Sequence, residues 1–186
     1  MENLDPASLV APLRRAGCVF AEEEARVLAG HAASGPELEA MLERRTGGEP
    51  LEHIVGWCAF FGLRPVVAPG VFVPRRRTEF LAEGTVRALA GRTGANLVEL
   101  CCGTGAVAMA AMARAAPGCL ASVHAVDILP AAVASARRNL PDAVVLEGDL
   151  WQALPHGLRG RVDVAVANAP YVPTARLPTL PQEARS

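Results

Sequence analysis

Lysine is missing altogether: all 18 basic residues are arginine, set against 19 acidic ones for a formal net charge of -1. So even a balance creates no global basic field, and it argues against a general attraction to nucleic acid or to an anionic membrane surface. The all-arginine usage, alongside abundant alanine, glycine and proline, reflects a GC-rich coding sequence more than a function. Aromatic residues are scarce at 4%, so a stretch where they cluster stands out. The five cysteines, Cys18, Cys58, Cys101, Cys102 and Cys119, form no C-x-x-C pair. That speaks against both a disulfide framework and a zinc site, and no metal is expected. Hydrophobic residues make up 51% of the chain and charged ones 20%, but the apolar content is spread out, so no membrane span is expected. Met1-Glu2-Asn3-Leu4-Asp5 lacks the pattern of a secretory signal, and the expectation is a cytoplasmic protein. A length of 186 residues suits one domain with a small appendage, or two small ones.

What is present is organised around one stretch. Asn96-Leu97-Val98-Glu99-Leu100 is an apolar, strand-like run that ends in Cys101-Cys102-Gly103-Thr104-Gly105 and passes into an alanine-rich helix over 106–114. Strand, tight turn and helix in that order put the turn at the carboxyl end of a strand, beside a helix N-terminus, where glycine lets a ligand approach the backbone. Cys101 and Cys102 fit small packing residues in such a turn; a reactive thiol is the alternative. The alternation then continues. Residues 121–127 predict a second strand ending in Asp127, about 20 residues past Gly105, where this kind of fold places a ribose-binding carboxylate. Residues 130–140 predict a helix opened by Pro130, residues 144–149 a third strand ending in Asp149, and residues 162–167 a fourth, followed by Asn168-Ala169-Pro170-Tyr171. Strand after helix after strand predicts an α/β fold with a parallel, doubly wound sheet whose strand ends line one crevice. For Asp127 alone a helix cap is an equal reading; polar residues at successive strand ends favour a site.

Upstream, apolar residues recur at helical spacing from Leu4 to about Thr46, with breaks at Gly17, Gly30 and Ser34-Gly35-Pro36. This predicts a three-helix domain over 1–46. His31 fits a surface or cap residue, and Glu22-Glu23-Glu24 a solvated first turn. The aromatic-rich segment over 47–73 predicts a linker with a β-hairpin, 57–61 and 63–68, turning near Gly62. A helix is expected over 78–90, within the third part, 74–186. Arg75-Arg76-Arg77 suits a solvated face, a helix start or a contact with an acidic ligand.

Three parts of the chain together resemble the HemK-like release-factor glutamine methyltransferases, enzymes that use S-adenosyl-L-methionine (SAM). They are Gly48-Glu49-Pro50-Leu51 through Ile54-Val55-Gly56 to Phe61-Gly62-Leu63, then Val73-Pro74-Arg75 with Thr78-Glu79, and the strand-end series closing in Asn168-Ala169-Pro170-Tyr171. The resemblance implies a Rossmann-like SAM-binding sheet behind a helical substrate-recognition domain. It implies that Glu99, Cys101, Gly103 and Gly105 cradle the methionine part of SAM. Asp127, with Ile128 beside it, would hold the ribose, and Asp149 with Leu150 would contact the adenine. Asn168, Ala169, Pro170 and Tyr171 would hold the amide nitrogen that accepts the methyl group, with Asn168 also bordering the donor. The implied partner is a protein substrate, a translation release factor, with neither a membrane nor direct contact to nucleic acid.

The chain also departs from the family pattern. Ala169 stands where a proline is usual, which keeps the backbone carbonyl but loses the φ restraint. Glu99 replaces the common Asp, Cys101-Cys102 replaces a Gly-containing pair, and Arg76-Arg77 replaces Pro-Glu. Four strands can be counted where the family sheet has seven, so a shortened chain, or one completed by a partner, is expected, with the fourth strand an exposed edge. Two other readings are a non-catalytic remnant that binds SAM, and an enzyme methylating an amino group of a nucleic-acid base. The absence of a basic stripe weighs against the latter.

Overall fold

The computed structural model describes residues 5–169, and they form two compact units that divide after Gly56.

In the first unit, α1 (Ala7–Arg15), α2 (Ala21–His31) and α3 (Gly35–Thr46) follow the predicted breaks at Gly17 and Ser34-Gly35-Pro36, whereas the break expected at Gly30 is absent: Gly30 lies inside α2, where a single glycine lowers helix propensity without ending the helix. Leu9 and Leu13, Ala21, Ala25 and Leu28, and Leu38 and Met41 are the buried faces. The α3 start carries its own cap: Ser34 Oγ accepts the Glu37 N–H, and Glu37 Oε2 accepts the Ala33 N–H at 2.7 Å. Glu24 does not lie on a solvated face, as its run of three glutamates suggested. It pairs with Arg45 of α3 at 2.6 Å, with both side chains mostly buried, and breaking such a pair costs about 3–5 kcal/mol because it strands a buried charge. A fourth helix, α4 (Leu51–Val55), stands inside the stretch expected to be linker. One turn and a half is too short to reveal a period, and Pro50 before it with left-handed Gly56 after it sets both ends.

The second unit opens with the expected hairpin. Phe60 and Leu63 exchange both backbone hydrogen bonds, and Trp57 bridges Val66. Phe61 and Gly62 are both left-handed, with φ of +53° and +76°, the two-residue turn whose twist suits a hairpin. Phe61 pays for its unfavourable φ with fixed partners: its N–H donates to Glu79 Oε1 at 2.9 Å, and the Arg114 guanidinium lies 5.3 Å over its ring. After a 3-10 turn at Arg76–Thr78 comes α5 (Glu79–Leu89). There follow β1 (Ala95–Leu100), α6 (Ala106–Arg114), β2 (Leu120–Asp127), α7 (Pro130–Asn139), β3 (Val144–Glu147) and β4 (Val164–Ala167).

The four strands form one parallel Rossmann-like sheet in the order β3-β2-β1-β4. The two inner strands are apolar on both faces, as a covered parallel sheet requires. Leu97, Val123 and Ala125 join the cluster built with α6 and α7, while Val98, Leu100 and Val126 form a separate cluster with Leu146, Leu154 and Val162. Among the described residues β4 pairs only with β1 and forms one edge of this sheet. Because all strands run the same way, every carboxyl end opens on one rim of the sheet.

Candidate functional site

That rim is built first by the turn between β1 and α6. Cys101, Gly103 and Gly105 all have left-handed φ, at +52°, +54° and +73°. The two glycines have different reasons to be glycine. A Cβ on Gly105 would lie 2.6 Å from Leu140 Cδ1, so α6 and α7 pack too closely to admit one. A Cβ on Gly103 would meet nothing within 4 Å, so Gly103 faces open space, where a ligand can come up to the backbone. The turn is closed by the Gly105 N–H donating to Cys102 O at 2.7 Å.

Asp127 at the end of β2 serves this turn directly. Its Oδ2 accepts the Gly103 N–H at 2.8 Å and its Oδ1 the Leu129 N–H at 3.0 Å. Each oxygen keeps a further lone pair, and the residue is only half-buried. Asp127 is not the cap of α7, whose N-cap is Leu129; its carboxylate is fixed by the backbone and still offers acceptors outward. Around it stand large apolar side chains that a folded chain normally hides. Ile128 and Leu129 follow β2, and Leu150 and Trp151 follow β3, all of them exposed. Leu150 is left-handed at φ +45°, a conformation that leucine adopts at some cost. Asp149 is exposed at the same strand end.

Glu99 sits differently from the other residues assigned to this rim. Its side chain is buried, and Oε2 accepts the Ala108 N–H at 2.7 Å in the first turn of α6. It therefore caps that helix from the neighbouring strand. Burial pushes its carboxyl up to about 8, opposed by the backbone N–H groups of Ala108 and Val107, with the nearby Asp127 charge adding to the rise. Cys101 and Cys102 are both shifted upward, chiefly by burial and further by neighbouring carboxylates, Asp127 among them. Protonated thiols are poor nucleophiles, which favours the packing reading over the reactive one.

At the opposite end of the rim is Asn168. Leu100 pairs with Ala167 in the β1–β4 ladder, so Cys101 and Asn168 leave the sheet from adjacent positions. Asn168 borders a cavity of about 290 Å³ lined also by Phe72, Arg75, Arg77, Thr78 and Leu81. Arg75 lies 5.4 Å over the Phe72 ring. The arginine triplet is thus a helix start whose first and third members also wall a cavity. Sequence reasoning singled out Val73-Pro74-Arg75 and Asn168 separately but gave no reason to place them together. Ala169 is exposed beside Asn168; Pro170 and Tyr171 lie outside the described residues. Also missed were Ser135 and Asn139 of α7, which bond to the hairpin backbone, and Asn139 to Thr104 as well. A polar residue inside an alanine-rich helix was the one signal for them. Among the described residues no group of three or more His, Cys, Asp or Glu could hold a metal ion, and no helix is long and apolar enough to cross a membrane.

Comparison with known proteins places the chain among methyltransferases. A family profile described as a methyltransferase domain matches residues 97–186, a span that begins in β1. The release factor glutamine methyltransferase of Corynebacterium glutamicum is 36% identical over 183 residues, covering 88% of this chain and 64% of that protein. That of Bifidobacterium longum is 31% identical over 206 residues, covering 91% of this chain and 69% of that one. A 4-amino-L-phenylalanine/4-methylamino-L-phenylalanine methyltransferase of Streptomyces pristinaespiralis is 35% identical over 183 residues, covering 87% and 61%. The chain thus spans roughly three-fifths to two-thirds of the length of these relatives. With its parallel sheet, its glycine turn and these relatives, the chain belongs to the HemK-like release-factor glutamine methyltransferase family, whose methyl donor is S-adenosyl-L-methionine.

Proposed function

We propose that this chain carries the donor site and the acceptor motif of a cytoplasmic enzyme that methylates the side-chain amide nitrogen of a glutamine in a translation release factor. The observation that supports this most is the adjacency of Asn168 to the glycine turn across the β1–β4 ladder, in a chain so closely related to enzymes of that name. The residues fit the donor. Gly103 leaves room for the methionine part, Asp127 has acceptor capacity left for two ribose hydroxyls, and Ile128 and Leu150 offer apolar surface to a flat base. Asp149 stands at the same strand end for the adenine, and Cys101 flanks the turn. Glu99 contributes by holding α6 in place.

When bound, SAM supplies an electrophilic methyl group on a sulfonium. The remaining task is to present a poor nucleophile, since an amide lone pair is delocalised into its carbonyl. In this reading the Asn168 side-chain oxygen and the Ala169 carbonyl accept the two N–H bonds of the substrate amide. They thereby aim its lone pair along the methyl–sulfur axis, and the family resemblance would give Pro170 and Tyr171, outside the described residues, the task of packing on the flat amide. Orientation of this kind is worth up to about 7–11 kcal/mol of barrier. Transfer would leave the neutral thioether S-adenosylhomocysteine, and the methylated, cationic amide would shed one of its N–H protons to water, so no side-chain base is invoked.

The test is transfer of radiolabelled methyl from SAM to a release factor bearing Gly-Gly-Gln, with the Asn168→Ala chain alongside. Label on the glutamine that falls at least about a hundredfold in the variant is expected, for the loss of one orienting acceptor; full labelling by the variant removes Asn168 from the mechanism. A second reading comes from the Streptomyces relative: the acceptor is a small arylamine, whose nitrogen is also planar and conjugated. Label on 4-amino-L-phenylalanine but not on the release factor would select it.

A further inference from the structure

We propose that Asn139, the last residue of α7, is a positioning residue for the donor site, holding the glycine turn and the hairpin as one piece. This rests on the reading that SAM binds at the turn. The Asn139 carboxamide is buried, with both N–H groups and its oxygen bonded. Its Oδ1 accepts the Val66 N–H at 2.8 Å, and its Nδ2 donates to Val66 O at 3.0 Å and to Thr104 O at 2.9 Å. One side chain thus closes the backbone of the second hairpin arm and, with its other N–H, pins the turn.

The pattern around it explains why. Val66 and Ala68, two apart, present their N–H groups on the same side of an extended arm. Asn139 and Ser135, four apart, share one face of α7, and Ser135 Oγ accepts the Ala68 N–H at 3.1 Å. Side chains of a helix therefore act as the neighbouring strand that this arm lacks. Only Asn139 reaches beyond it. The turn is consequently held at two successive residues from two elements: Asp127 of β2 takes the Gly103 N–H, and Asn139 of α7 takes the Thr104 carbonyl. Thr104 is fully buried, and its own hydroxyl finds no partner among the described residues. Its side chain adds no hydrogen bond to fix it, so the Thr104–Gly105 peptide is held from within the turn by the Gly105 N–H on Cys102 O and from outside it by Asn139. At its tip the hairpin bonds to Glu79, the neighbour of the Thr78 that walls the Asn168 cavity. The hairpin is therefore a strut with one end at the cavity wall and the other at the donor turn.

Three variants of the full chain separate positioning from simple support: Asn139→Leu, Asn139→Asp and Ser135→Ala, each titrated calorimetrically with S-adenosylhomocysteine below its Tm. The aspartate keeps the acceptor for Val66 but cannot donate to Thr104, and it serves if the leucine variant does not fold. Both Asn139 variants should bind about tenfold more weakly than the parent chain, while Ser135→Ala, which loosens only the hairpin, should lower Tm and bind within about twofold. A purely structural role would lower Tm in all three and leave affinity of the folded chain alone; unchanged affinity in the Asn139 variants overturns the proposal and spares the donor site. If the parent chain itself gives no binding heat, the donor-site reading falls and the proposal with it.

Discussion

The two ends of the strand rim are built in opposite ways. At the end proposed to hold the donor, Asp127, Gly103, Gly105 and Glu99 lie on or beside the two inner strands, and each is fixed by backbone hydrogen bonds or close packing. At the end proposed to hold the acceptor, Asn168 follows an edge strand that has one neighbour among the described residues, and its cavity wall comes from the loop and 3-10 turn before α5 and from Leu81 in the first turn of α5. A cofactor shared across an enzyme class needs a rigid cradle, and an inner parallel strand supplies one. An acceptor site serves one substrate, and the proposed one would lie at an edge where loops can vary without disturbing the sheet.

If the donor end is the rigid one, damage there should cost most. Asp127→Ala removes two backbone anchors and a ribose acceptor together, so SAM affinity should fall by about a hundredfold or more, given about 1.5–3 kcal/mol for each bond to a charged group. Calorimetry reads it directly; a fall below about threefold would mean that the turn holds itself and would erase the contrast between the two ends.

Next in size is the pH dependence of folding. The Glu99 carboxyl titrates near 8 in the folded chain against an ordinary value of 4.5. The folded state thus holds a proton that the unfolded state has released, and stability falls as pH rises between those values, by up to about 1.4 kcal/mol per unit. Above about 8 this contribution is flat. Glu99→Gln keeps an oxygen for the Ala108 N–H and removes the ionisation. Denaturant midpoints for the variant should lose that downward slope between the two pKa values, and an unchanged slope would assign the titration elsewhere.

The smallest effect is expected at Cys101. A left-handed cysteine at φ +52° costs about 1–2 kcal/mol that glycine avoids, less the extra chain entropy of glycine. Cys101→Gly should therefore raise stability by up to about 1 kcal/mol and bind SAM no more weakly. Weaker binding would show that the thiol itself contacts the donor.

Much of this was readable from local pattern. The breaks at Gly17 and Ser34-Gly35-Pro36, the hairpin turn at Gly62, and the strand–helix alternation with Asp127 ending β2 and Asn168 following β4 all appear where expected, because each depends on residues within a few positions of one another; β3 stops at Glu147, two residues short of Asp149, where the chain turns into a 3-10 turn. Helix α4 escaped because five residues show no period. Glu24 could not be told from its glutamate neighbours, because what sets it apart is Arg45, on a different helix.

By itself, then, the sequence determined the order of strands and helices, the glycine positions that demand left-handed backbone, and the motifs that mark the family. Only the tertiary structure decided that Glu99 caps α6, that Phe72, Arg75 and Arg77 share a cavity with Asn168, and that Asn139 joins Val66 to Thr104. The physical reason is one of range. Backbone conformation and hydrophobic period are local quantities written in adjacent residues. The partner of a buried polar group is chosen by whichever donor or acceptor the packed sheet brings within 3 Å, and that choice leaves no trace in the residues on either side of it.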